Sequence, residues 1–101
     1  MATGESAADL ARVFGLLSDE TRLDIVRALA ERRFEKSDDA CLSFSELRGR
    51  VGARDAGRFN YHLGQLRGSL VEKTPEGYLL TDEGVTVGAL VLDANPLARL
   101  A

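Results

Sequence analysis

The residues best suited to binding chemistry in this sequence lie between positions 54 and 70. Four apolar residues there, spaced four, three and four apart, would share one face of a helix: Phe59, Leu63, Leu66 and Leu70. The opposite face would carry polar residues and three glycines, namely Gly57, Arg58, Tyr61, Gly64, Gln65 and Gly68, flanked by Asn60, Arg67 and His62. Each glycine costs a helix up to about 1 kcal/mol relative to alanine, so the face makes sense if another surface must come close. We interpret that surface as DNA; the alternative is an amphipathic helix with a solvated polar face.

The charge distribution supports this interpretation, although the whole chain is acidic. The 101 residues carry a net charge of −3. Residues 44–73 carry +3, whereas the segments before and after them carry −3 each. A basic middle third is typical of a nucleic-acid-facing unit within an acidic protein. Eleven of the 13 basic residues are arginine, and an acidic, lysine-poor composition resembles that of proteins from salt-loving archaea.

Length and composition indicate one small domain. A chain of 101 residues can build a single modest core. No apolar run approaches the roughly 20 residues of a membrane span, and the acidic start does not resemble a secretory signal. The single cysteine, Cys41, excludes an internal disulfide and indicates a reducing compartment, so the sequence predicts a cytoplasmic protein.

The first half of the chain predicts three helices before the one described above. We expect a flexible N-terminus over residues 1–9 and then a helix with apolar residues at Leu10, Val13, Phe14 and Leu17. Ser18 would cap a second helix that ends near residue 32 or 33, and a polar loop would follow. A brief strand at residues 42–44 would precede a third helix, capped by Ser45 and ended by Gly52. The short link from Gly52 to the next helix predicts a helix-turn-helix.

The second half changes from helical to β periodicity and back. Residues 71–81 predict a hairpin around a Pro-Glu-Gly turn. Thr81 would cap a last helix, which Asn95-Pro96 would end, leaving a tail over residues 95–101. That helix is apolar on more than one face, so we expect a second copy of the chain or a missing C-terminal domain to cover it; an effector is a further candidate partner.

Three stretches, in this order, resemble the ArsR-like branch of winged helix-turn-helix transcription regulators. They are Leu16–Leu29 (L-L-S-D-E-T-R-L-D-I-V-R-A-L), Phe44–Gly52 followed by Gly57–Leu66 (G-R-F-N-Y-H-L-G-Q-L), and Gly77–Gly84 (G-Y-L-L-T-D-E-G). The R-F-N-Y-H-L form looks most like archaeal members. The resemblance implies a mostly α fold with a β-hairpin wing, in the order α-α-β-α-α-β-β-α, over residues 10–94.

By that resemblance the chain would bind double-stranded DNA as a homodimer, with a recognition helix at about residues 55–69 in the major groove. Arginine suits guanine, and asparagine or glutamine suits adenine, whereas basic residues outside this face would meet phosphates. The implied DNA-contacting residues are Arg48, Arg50, Arg54, Arg58, Asn60, Tyr61, Gln65, Arg67 and Lys73, the last in the wing formed by residues 71–81. The first and last helices would form the dimer contact through Leu10, Val13, Val87, Leu90 and Val91.

The sequence favours neither a metal sensor nor an enzyme. Metal-sensing members of this branch use cysteine pairs at the start of helix three, or acidic and histidine ligands on the last helix. Here the start of helix three has no cysteine, and the last helix has no histidine. Cys41 and His62 alone cannot supply a four-ligand site, and no glycine-rich phosphate loop is present, so we expect no cofactor. The alternative function is a winged-helix module for protein interaction or assembly. Net acidity, the apolar last helix and a single arginine on the outward face favour that alternative.

Overall fold

Five helices and one β-hairpin make up residues 6–93, the part of the chain that the structure, a computed structural model, describes. The predicted fold class, mostly α with a small β-hairpin, is confirmed and is consistent with a winged helix. In chain order the elements are α1 (Ala7–Leu16), α2 (Glu20–Glu35), α3 (Phe44–Val51), α4 (Ala56–Leu66), β1 (Val71–Thr74), β2 (Gly77–Leu80) and α5 (Asp82–Asp93).

Two predicted helix caps are wrong because a better acceptor lies nearby. The N-cap of α2 is Asp19, whose Oδ1 accepts hydrogen bonds from the backbone N–H groups of residues 21 and 22 at 2.8 and 3.1 Å. The hydroxyl of Ser18 instead donates to the carbonyl of Gly15. The N-cap of α3 is Ser43 rather than Ser45, because Glu46 completes a capping box with it. The hydrogen bonds from Ser43 hold the pKa of Glu46 below its ordinary value.

The remaining boundaries also differ at some ends. Helix α1 already begins at Ala7, within the segment predicted to be flexible, and α2 continues to Glu35. The predicted strand at residues 42–44 is reduced to one antiparallel bridge between Leu42 and Tyr78, since Phe44 already belongs to α3. The predicted end of α3 at Gly52 is confirmed by a left-handed φ of 76° at that residue. The predicted N-cap of α5, Thr81, is confirmed because its Oγ1 accepts the N–H of Gly84. The predicted tail and Asn95-Pro96 lie outside the described residues.

Helix α2 runs through the middle of the core. Its buried side packs against α3, α4, β2 and α5, so α3, α4 and the last helix share one core with it. At the base of α4 the rings of Phe44 and Phe59 meet edge to face, with centroids 5.4 Å apart. The largest fully buried side chains are Phe59, Ile25, Leu29, Leu42, Leu47, Leu63, Leu66, Leu70, Val26 and Val71.

Close backbone contacts hold the hairpin together and bring α5 against the residues that precede β1. Strands β1 and β2 pair antiparallel, with Val71 opposite Leu80 and Thr74 opposite Gly77. The buried Gly84 lets α5 approach so closely that a Cβ at this position would overlap the carbonyl of Leu70. No helix within residues 6–93 is long and apolar enough to cross a membrane.

Candidate nucleic-acid interface

The turn between α3 and α4 is held by an arginine predicted to contact phosphate. Arg48 Nε donates to the carbonyl of Ala53 at 2.9 Å, and its Nη2 donates to the carbonyl of Arg54 at 2.6 Å. Asp55 then caps α4 by accepting the N–H of Arg58 at 3.0 Å. The guanidinium of Arg48 is therefore engaged in holding this turn, and it is not among the proposed DNA contacts.

Helix α4 divides into the two faces that its spacing predicts. Phe59, Leu63 and Leu66 are buried, and the next apolar residue of the pattern, Leu70, is buried after the helix ends. On the polar face Gly57, Arg58, Asn60, Tyr61, Gly64 and Gln65 are exposed. The helix ends at Leu66 rather than near residue 69, so the exposed Arg67 is its C-cap and the exposed Gly68 lies beyond it, with a left-handed φ of 86°. His62, predicted on the flank of the apolar stripe, is buried with them at 6% exposure and accepts a hydrogen bond from Arg22.

The basic side chains around α4 are mostly without internal partners. Within the described part of the chain, Arg54, Arg58, Arg67 and Lys73 form no salt bridge. Arg50 pairs with Glu35 at 3.1 Å, but both side chains are partly exposed, and such pairs contribute only about 0–1 kcal/mol. Two of the three acidic residues between positions 44 and 73, Glu46 and Asp55, are occupied in helix caps. Residues 54–67 around α4 therefore carry three arginines against one acid, whereas the hairpin carries Lys73 between Glu72 and Glu76.

The polar groups on this face, and Gly57 and Gly64 between them, are not required by the fold, whereas Gly68 allows the left-handed φ of 86° after the helix. The side chains of Asn60, Tyr61 and Gln65 make no hydrogen bond to any other residue between positions 6 and 93. A Cβ at Gly64 would meet nothing within 4 Å, and one at Gly57 would meet only Asp55 Oδ1, at an ordinary 3.5 Å. Since the chain's own packing does not need these glycines, the face has room for another molecule to come within contact distance of the helix backbone.

A small depression marks the N-terminal end of the same face. It has a volume of about 220 Å³ and lies between Thr21 of α2 and the start of α4, with Arg54 and Arg58 in its wall. Lys73, predicted in the wing, lies with its Nζ 5.8 Å from the ring centroid of Tyr78, which holds its stem along β2. Exposed cations therefore lie at the start of α4 and on the hairpin.

A second surface, on α1, α2 and α5, is an apolar groove of about 730 Å³. It is lined by all five residues predicted for the dimer contact: Leu10, Val13, Val87, Leu90 and Val91. Phe14, missing from that set, also lines the groove and is 67% exposed. Its four-residue spacing from Leu10 was the sequence signal for its place there. Arg27, Asp82 and Glu83 supply charged groups among the lining residues.

A hydrogen-bonded cluster that sequence reasoning missed lies behind α4. Arg22 donates from Nη1 to His62 Nδ1 at 3.1 Å, and Asp19 Oδ1 lies 3.6 Å from the same nitrogen. Burial raises the pKa of Asp19, but the N–H bonds from Arg22 and Thr21 and the charge of the Arg22 guanidinium bring it below its ordinary value. No local pattern pairs positions 22 and 62, so the sequence offered no signal for this contact.

The other chemistry-bearing residues are dispersed. Cys41 is half-buried beside β1, with its Sγ 3.8 Å from Thr74 Oγ1, whereas His62 contacts Arg22. No three His, Cys, Asp or Glu side chains converge in a metal-ligand arrangement within the described range.

Comparison with known proteins gives one match. A family model described as a domain of unknown function, DUF7347, matches residues 10–91. Comparisons with curated proteins and with solved structures found no match. The matched range begins in α1, ends in α5 and contains both the α4 face and most of the apolar groove. The chain therefore belongs to the DUF7347 family.

Proposed function

We propose that this chain is a sequence-specific DNA-binding protein, a dimeric transcription regulator of the ArsR-like type. Helix α4 would lie in the major groove, and the β1–β2 hairpin would act as the wing. The observation that carries the proposal is the exposed face of α4, where arginine and amide side chains without internal partners lie beside Gly57 and Gly64, two glycines that the fold does not need. Such a regulator would act in the cytoplasm, together with the DNA it controls.

The exposed side chains of α4 match the chemistry of base edges. Arg58 can donate two hydrogen bonds to the O6 and N7 atoms of a guanine, and Asn60 or Gln65 can bond the N6 and N7 atoms of an adenine. Tyr61 offers an aromatic face and a hydroxyl beside them. The glycines let the helix backbone approach the groove floor, so that short side chains such as Asn60 can reach a base.

The surrounding cations fit the phosphate backbone. Arg54 lies at the N-terminal end of α4, Arg67 at its C-terminal end and Lys73 on the wing. Arg50 can join them if its exposed pair with Glu35 opens. These contacts would supply affinity without sequence preference, and each would add to the fall of affinity as the salt concentration rises.

The apolar groove supplies the proposed dimer contact. Phe14 and Leu90 are each about two-thirds exposed in the single chain. Large apolar side chains that share one exposed surface are typical of a contact with another molecule. A second copy that presents the same groove would cover them through a two-fold, self-complementary interface. Two α4 helices would then lie about one turn of DNA apart, so the binding site should be an inverted repeat.

Selection from random duplex DNA, at moderate and at high potassium chloride, tests the proposal. We expect enrichment of a palindromic site at moderate salt and weaker binding of the same site at high salt. A folded, dimeric protein that enriches no site at either salt would contradict DNA recognition. That outcome would favour the second candidate function, a protein-interaction module, for which the apolar groove is the supporting observation.

Replacing Arg58 with alanine should relax base preference as well as lower affinity. We expect a loss of about 1–3 kcal/mol on the selected site and a smaller loss on unrelated DNA, because a base contact is lost. Arg50→Ala is the matched control, since it should weaken binding to all DNA alike. Affinities for selected and scrambled duplexes, measured by fluorescence anisotropy, decide between the two patterns. Unchanged affinity and preference in the Arg58 variant would show that α4 is not the recognition helix.

Replacing Gly64 with alanine should make the protein more stable and its DNA binding weaker. The added methyl meets nothing within 4 Å and improves helix propensity, so unfolding should cost up to about 1 kcal/mol more. The same methyl would stand between α4 and the groove floor. Gly15→Ala, in α1 and equally open, should stabilise the protein without affecting DNA affinity. Thermal unfolding and DNA titration of both variants test this, and equal DNA affinity in both would contradict close approach at Gly64.

A further inference from the structure

One partly buried guanidinium connects three helices. Arg22, in the first turn of α2, donates from Nε to the carbonyl of Leu16 at 2.6 Å and from Nη1 to Nδ1 of His62 at 3.1 Å. Leu16 is the last residue of α1, and His62 lies in the middle of α4. Because the guanidinium is a rigid planar fork, two bonds in different directions fix its orientation.

The partner on α4 is fixed as well. A guanidinium only donates, so His62 Nδ1 must accept and the ring proton must lie on Nε2. His62 is almost fully buried, and its ring meets the ring of Tyr61 edge to face at a centroid distance of 5.2 Å. Asp19 Oδ1, 3.6 Å from His62 Nδ1, holds the backbone of Arg22 through its N–H. The cluster thus extends from the end of α1 to an aromatic side chain on the exposed face of α4.

We propose that Arg22 and His62 form a positioning pair that sets the rotation of α4, and with it the presentation of Tyr61 and Arg58 to DNA bases. The inference rests on the proposed function. Neither residue belongs to the exposed face of α4, so neither is assigned a DNA contact. Their effect on base preference acts through the helix: a change in the Arg22–His62 bond turns α4 on the core and shifts every side chain on its outer face.

The pair is connected to the apolar groove at its other end. Leu16, which accepts from Arg22, directly precedes Leu17, one of the groove-lining residues. In α1 Val13 is buried, and Leu16 and Leu17 pack against the core where the helix ends, so the bond from Arg22 to the Leu16 carbonyl adds to an apolar attachment. The side chain of Arg22 is therefore bonded both to the end of α1, next to the groove, and to α4.

The bond itself can be observed directly, since His62 is the chain's one histidine. We expect the ring ¹⁵N spectrum of the wild type at neutral pH to show Nδ1 unprotonated and Nε2 protonated. In Arg22→Lys, which keeps the charge but has a single donor group in place of the fork, the His62 resonances and the ring resonances of Tyr61 should shift. A proton on Nδ1 in the wild type would overturn the inference.

The functional test compares preference for the selected site over a scrambled duplex in folded protein. Arg22→Lys and His62→Gln should each lower this ratio by about fivefold, and the double variant should lose no more than either single variant, because both remove one contact. Ile25→Val is the control: it weakens the core of α2 without touching the pair, so its ratio should equal that of the wild type.

The outcomes separate the two proposals. A wild type that binds DNA, with variants whose ratio is unchanged or whose losses add, would overturn the positioning pair alone. The positioning pair would also be overturned if Ile25→Val lowered the ratio as much as the pair variants do, since loss of core packing would then explain the effect. A wild type without any preferred site would overturn the proposed function and the positioning pair together.

Discussion

Replacing Phe14 with glutamate is expected to convert the proposed dimer into monomers and to weaken binding to the palindromic site by about 100-fold or more. Burying a phenylalanine side chain is worth about 1.5–3 kcal/mol, and a two-fold interface contains it twice. The variant also places a carboxylate in an apolar groove, where it has to be desolvated. Sedimentation velocity over a range of protein concentrations measures the dissociation, and titration of the full and the half site measures the loss of affinity.

Phe34 provides a matched control for this experiment. It is 69% exposed, against 67% for Phe14, but it does not line the groove. Phe34→Glu should therefore leave both the dimer and DNA binding intact. A Phe14 variant that remains dimeric would show that the groove is not the interface, and a Phe34 variant that dissociates would place the interface near the end of α2.

Replacing Gly84 with alanine is expected to lower the free energy of unfolding by about 2–3 kcal/mol, as overpacking of a tight core does. The new methyl would overlap the Leu70 carbonyl oxygen. That oxygen already accepts the N–H of Thr81 at 3.0 Å, so it cannot move away without loss of this bond. Helix α5 would have to move away from Leu70, and because Val87, Leu90 and Val91 of this helix line the groove, the dimer should weaken as well.

Chemical denaturation of the Gly84 variant measures the loss of unfolding free energy. Gly15→Ala is the control, because it adds the same methyl group where nothing lies within 4 Å. We expect opposite signs for the two variants. Equal stabilities would mean that α5 can shift on the core at little cost, and the groove would then be a deformable surface rather than a preformed one.

The fold class and the faces of α4 were accessible from the sequence because they depend on local periodicity. The spacing from Phe59 to Leu66 repeats at the period of a helix, so it specifies which residues turn inward whatever they pack against. Gly52 ends α3 and the Pro75–Gly77 turn reverses the hairpin for equally local reasons, since each depends on backbone conformations available to a few residue types. The apolar faces of α1 and α5 were predicted in the same way.

The caps show where local reasoning was insufficient even over a few residues. Ser18 and Ser45 are both acceptable N-caps by type, but Asp19 and Ser43 have partners that the two serines lack. The competition between neighbouring acceptors depends on where the preceding element ends. That end is set by packing, which residue type alone does not reveal.

Only the tertiary structure decided which polar side chains are free. Arg48 and Arg58 are the same residue type in the same basic segment. Arg48 donates to the carbonyls of Ala53 and Arg54, whereas the side chain of Arg58 is exposed. Likewise Arg22 meets His62 across 40 positions of chain. The sequence by itself determined the helices, the hairpin and the face that each helix buries. The hydrogen-bond partners, the seat of α5 and the groove arise from contacts distant in sequence, which exist only after the helices have packed.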